Sequence, residues 1–92
     1  MTKFLIPMER ECFVCHSPYV ELHHVFEGVG RRKHSDEDGC VVYLCPEHHR
    51  GNRGVHHNRQ LDLILKQTFQ ERWEEVYGTR EEFIKRFTRS YL

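Results

Sequence analysis

The chain has 92 residues, 14 basic and 14 acidic side chains, and no net charge at pH 7 with His neutral. Charged residues make up 30% and the mean hydropathy is −0.73. A membrane protein and a strongly basic nucleic-acid coat protein are both excluded by this balance. The longest apolar stretches, Phe4 to Ile6 and Val41 to Cys45, fall short of a spanning helix of ~20 residues or a signal-peptide core of ~7–15. The expected class is one small domain over residues 1–92, cytoplasmic, and short enough to need a staple beyond its apolar core.

In chain order, Met1 to Glu11 is a lead segment with Phe4, Leu5 and Ile6 to pack. Cys12-Phe13-Val14-Cys15 opens a tight turn, and Tyr19 to Phe26 reads as a strand, rich in β-branched and aromatic residues. Residues 27–40 read as a loop. They hold three Gly, the basic run Arg31-Arg32-Lys33 and the acidic run Asp36-Glu37-Asp38. Val41 to Leu44 is a second strand, and Pro46 suits the first position of a short helix. Asn58 is placed to cap a long helix whose apolar residues Leu61, Ile64, Leu65, Phe69, Trp73, Val76 and Tyr77 recur at helical spacing up to Gly78. Thr79-Arg80-Glu81-Glu82 is a capping box for a last helix with Phe83, Ile84, Phe87 and Tyr91 on its apolar face. The stripe Phe69, Trp73, Phe83, Phe87 is assigned to the core and not to base stacking.

Eight His and four Cys are the unusual part of the composition. Cys12-x2-Cys15 and Cys45-x2-His48 each aim two ligands at one point, and together they make a tetrahedral Cys3His zinc site. Two disulfides are the alternative, and the paired x2 spacings argue against them. Cys40 and Cys45 flank a short strand at an odd offset, on opposite faces ~16 Å apart, so Cys40 is assigned to the core as a small buried residue.

Six His form the pairs His23-His24, His48-His49 and His56-His57. Neighbours on a helix start diverge by ~100°, and neighbours on a strand point to opposite faces. If His48 faces zinc, His49 faces elsewhere. One of His23 and His24 can take a metal while the other takes a proton, and His56 or His57 can add a third imidazole. All-imidazole ligation suits Zn, Ni, Co or Mn; extra oxygen ligands would admit Mg.

At these residues the sequence resembles the HNH nuclease family. Leu22-His23-His24-Val25 is similar to the family's pair of metal ligand and general base. Leu44-Cys45-Pro46-Glu47-His48-His49 resembles its Leu-Cys-x-x-Cys-His element, and Gly51 to Asn58 resembles a Gly-x-x-Gly-Val-His stretch of small phage-encoded members, among them RecA-dependent HNH nucleases. The resemblance covers residues 12–58 and implies a zinc-stapled ββα-metal finger; with the two C-terminal helices read above over 59–92, the expected fold is α+β. It implies a metal-dependent DNA endonuclease with little sequence preference. His24 would be the base, with structural zinc on Cys12, Cys15, Cys45 and His48 and a second divalent metal on His23, His49 and His56. Arg31, Arg32, Lys33, Arg50, Arg53 and Arg59 are the expected phosphate contacts. The expected partners are DNA and, in that subset, a recombinase filament or other DNA-processing protein, within the bacterial host cell. One departure is Cys40, at the position of the family's middle Asn, which orients the finger loop. The competing reading is a non-catalytic zinc module binding nucleic acid or protein, which leaves the remaining His without a role.

Overall fold

The computed structural model describes residues 3–92. It is a small α+β arrangement of one two-stranded sheet and four helices. Strand β1 (Glu21–His24) pairs antiparallel with β2 (Val41–Leu44), His23 opposite Val42 and His24 opposite Val41. Helix α1 (Arg31–Asp38) lies between the strands in sequence. Helix α2 (Pro46–His49) follows β2 directly, and α3 (Arg59–Val76) and α4 (Arg80–Phe87) complete the chain. Among the described residues, no helix is long and apolar enough to cross a membrane.

The start signals read from the sequence are realised. Pro46 opens α2, and Asn58 Oδ1 accepts from the Leu61 amide at 3.1 Å. Thr79 and Glu82 form the reciprocal capping box. The core is the buried face of the hairpin and its extension, Val25, Phe26, Val42 and Leu44, covered by Leu65, Phe69 and Trp73 of α3 and Phe83 and Phe87 of α4. Phe26 packs on Phe87 and Phe83 at ring separations of 4.6 and 5.2 Å, a geometry that adds to simple area burial. All four residues of the aromatic stripe are buried, as is Cys40. Of the other apolar positions expected inside, Ile64, Val76, Tyr77 and Ile84 are exposed. With three or four apolar residues per two turns, a helix needs only its central stripe to reach the core.

Two elements differ from the sequence reading. The strand is Glu21–His24, shorter than Tyr19 to Phe26, because β2 offers only four partner residues. Residues 31–38, expected as loop, form α1. The helix carries no apolar stripe and is held by polar anchors instead. Ser35 is fully buried; its Oγ accepts from the Phe26 amide at 3.0 Å and donates to the Phe26 carbonyl at 2.7 Å. The Asp38 carboxylate accepts from Trp73 Nε1 at 2.8 Å and from the Arg86 guanidinium. Tertiary bonds thus override weak local preference.

Removing a partner from a buried amide costs about 1–3 kcal/mol. Ser35→Ala leaves both Phe26 backbone groups without that partner, so it should lower unfolding free energy by that amount. Denaturant unfolding that shows no change would contradict the anchor.

Candidate metal centre

Two clusters of ligating side chains meet at α2. In the first, one ligand atom each from Cys12, Cys15, Cys45 and His48 lies within 4.8 Å of every other. Cys15 and Cys45 sulfurs are 3.7 Å apart, and His48 Nδ1 is 3.2 Å from Cys45 Sγ and 3.7 Å from Cys12 Sγ. A tetrahedron with Zn–S bonds of ~2.3 Å has edges of about 3.8 Å, so the four can hold a metal ion such as zinc. The turn is shaped by backbone bonds: His16 donates to the Cys12 carbonyl and Phe13 to the Tyr43 carbonyl, both at 2.9 Å. Burial pushes the Cys12 thiol up, but backbone amides of Cys45, Cys15 and Val14 outweigh it and bring it down to about 6. The thiolate is the form a metal takes. Cys40 is outside the cluster, and burial pushes its thiol up.

The second cluster is His23, His49 and His56, again within 4.8 Å. Their rings are 5.3 to 5.6 Å apart. Each comes from a different element: β1, α2 and the loop before α3. Gly54 permits the third. A Cβ there would stand 2.8 Å from the His49 carbonyl carbon and oxygen, so only glycine lets the loop fold back over α2. Val55 then donates to the His48 carbonyl at 2.8 Å, and His56 follows.

His23 is 3% exposed, and its Nε2 is the buried side-chain N or O atom with no hydrogen-bond partner among the described residues. An unsatisfied buried nitrogen is costly and asks for a ligand. Burial, then the neighbouring His49 and His56, depress its pKa to about 3, so the ring is neutral and available to a metal near neutral pH. His49 Nδ1 donates to Glu21 Oε1 at 2.7 Å, which leaves its Nε2 for an ion. The His49 ring and then the Arg50 guanidinium hold the Glu21 carboxyl below its usual range. This is the carboxylate–imidazole arrangement that orients metal ligands.

His24 is outside the trio but lines the same cavity of about 230 Å³, together with Glu27 and Arg32. Its Nε2 lies 3.4 Å from Asp36 Oδ1 on α1. In the tautomer that donates to Asp36, Nδ1 is a free acceptor.

The six basic residues separate. Arg32 lines the His cavity, Arg31 and Arg59 line a neighbouring cleft, and Arg53 lies with Arg59 in a third depression. Lys33 is exposed and lines none of these cavities. Arg50 is engaged by Glu21 through Nε at 3.0 Å and Nη2 at 2.6 Å.

Sequence reasoning missed Glu21 and Asp36. Glu21 sits two residues before His23, on the same face of the strand, and that spacing could have found it. Asp36 had no such signal, because its position depends on a helix read as loop. Comparison of the chain with protein-family models, curated proteins and solved structures finds no significant match.

Proposed function

We propose that the protein is a metal-dependent endonuclease that hydrolyses DNA phosphodiester bonds at a ββα-metal finger formed by β1, β2 and α2. The observation that carries the reading is the unpartnered, buried His23 Nε2 beside His49 and His56, in a cavity that also presents His24 and Arg32. A zinc module that only binds a partner would not need a second, carboxylate-oriented imidazole trio.

His23, His49 and His56 would hold a divalent cation, which would supply Lewis acidity for phosphodiester hydrolysis. The chain supplies the rest. His24 Nδ1 takes the proton from the attacking water, and Asp36 holds the ring in that tautomer by accepting from Nε2. Arg32 neutralises a phosphate oxygen from the cavity wall. Glu21 fixes the His49 ring, and Arg50 in turn fixes Glu21. Ser35, clasped to both backbone groups of Phe26, fastens the chain just after the His pair. That is the task the resembled family gives to the Asn that Cys40 replaces.

Supercoiled plasmid is the test substrate, with Mg, Mn, Ni, Co or Zn added in turn. Wild type should nick it with at least one metal. His24→Ala should be slower by ~10²–10⁴-fold, the contribution of a general base, with both metals retained. Wild-type protein that carries two ions and nicks nothing would overturn the proposal. Equal rates for wild type and His24→Ala would remove His24 from the mechanism.

A further inference from the structure

Beside the His cavity lies a second cleft of about 300 Å³, which brings together Arg31 of α1, Arg59 and Lys66 of α3, and Arg89 and Tyr91 of the C-terminal segment. We infer that this cleft grips the phosphodiester backbone of the nucleic acid at a phosphate other than the scissile one; the inference rests on the nuclease reading for its substrate and on the cleft's own geometry for its place.

The charge arithmetic points to an anion. Asp62 is the acidic residue in the cleft wall, and Lys66 takes it at 2.8 Å. Arg31, Arg59 and Arg89 make no ion pair among the described residues, although Arg50, Arg72, Arg80 and Arg86 do. Three guanidiniums that share one cleft with no carboxylate in ion-pair reach of any of them repel one another, and a bound anion relieves that repulsion.

Two of the three are held in place. Arg31 Nη1 donates to Thr88 Oγ1 at 3.2 Å, and Gly28 leaves room for its guanidinium, since a Cβ there would lie 2.4 Å from Nη2. The Arg89 guanidinium lies over the Tyr91 ring at 5.0 Å, with Lys66 also 5.3 Å from the ring centre. Planar forks held this way suit phosphate oxygens.

The surroundings select a polymer over a free phosphate. Lys66 of the cleft is 3.9 Å from Glu27 of the His cavity, so the two sites adjoin. Arg59 also lines the depression that holds Arg53, so cations without an ion pair among the described residues run on beyond the cleft. A grip on phosphate alone carries no sequence information, so affinity should be the same for duplexes of different sequence.

The test is binding of a short DNA duplex to the zinc-loaded protein without added second metal, over a salt series. The double variant Arg59→Ala/Arg89→Ala changes two exposed side chains; Arg72→Ala, whose guanidinium pairs with Glu75 outside the cleft, is the control. The double variant should bind roughly tenfold more weakly. Its slope of log affinity against log salt should be shallower by about 0.9, the amount for one phosphate that is no longer neutralised. The control should match wild type.

Equal affinity and slope for wild type and the double variant would overturn the inference, as would wild type that does not bind DNA. Displacement of DNA by inorganic phosphate at matched ionic strength would make the cleft a free-phosphate site and overturn it too. Plasmid nicking separates the two readings. A double variant that binds poorly beside a wild type that never nicks leaves the cleft and removes the nuclease. A wild type and double variant that bind and nick equally leave the nuclease and remove the cleft.

Discussion

Cys12→Ser and Cys45→Ser are expected to abolish the cooperative unfolding transition and to lose one zinc per chain. Both thiols are buried, at 0% and 5% exposure, in a cluster that joins residues 12–15 to β2 and α2. Zinc binding in small domains contributes about 10–16 kcal/mol to folding. That is comparable to the total stability of a typical domain, about 5–15 kcal/mol, so losing one ligand should be enough to unfold this one. A strong chelator should act as the mutation does. Cys40→Ala serves as the comparison: it removes a buried thiol outside the cluster and should leave zinc content unchanged. The measurements are metal analysis and thermal melting. A metal-free Cys12→Ser protein that still melts cooperatively would contradict the staple.

The second large effect separates two neighbours. His48→Ala should unfold the protein, because its Nδ1 belongs to the cluster with the three cysteines. His49→Ala should stay folded, keep one zinc, lose the second ion and nick at the background rate. Losing metal catalysis removes several kcal/mol of transition-state stabilisation, or ~10³-fold and more in rate. Glu21 keeps its bond to Arg50 in that variant, so no carboxylate is stranded. Metal counting and circular dichroism on both variants decide it. Two equally unfolded proteins would mean that the adjacent rings do not serve separate ions.

The two Cys and His clusters were legible because the geometry of metal coordination is written in spacing. Two x2 pairs and three His pairs are local signals, and the divergence of neighbouring side chains follows from strand and helix geometry alone. The long helices were legible for the same reason, since caps at Asn58 and Thr79 and the apolar repeat are local. What escaped is non-local. Residues 31–38 read as loop in the sequence because Ser35 and Asp38 hold the helix through Phe26, Trp73 and Arg86, up to 48 positions away. The carboxylate partners of His24 and His49 escaped likewise. Asp36 meets His24 across 12 residues and Glu21 meets His49 across 28. Arg89 joins Arg31 in one cleft only because the chain after α4 folds back, where Gln67 and Gln70 hold the Tyr91 backbone at 2.9 and 2.7 Å.

Helix α1 has a further consequence. Its buried residues are Ser35 and Asp38, both polar, so little apolar surface resists its detachment. Segments of that kind open at a lower free energy than the whole protein. Opening α1 would carry Arg32 and Asp36 away from the His cavity and Arg31 away from the cleft, while the His trio on β1, α2 and the loop stays where it is. Amide exchange should therefore be fastest, among the helices, in α1. The proposed nuclease should then show two thresholds under denaturant: nicking is expected to fail first, and metal to be released only when the remainder gives way.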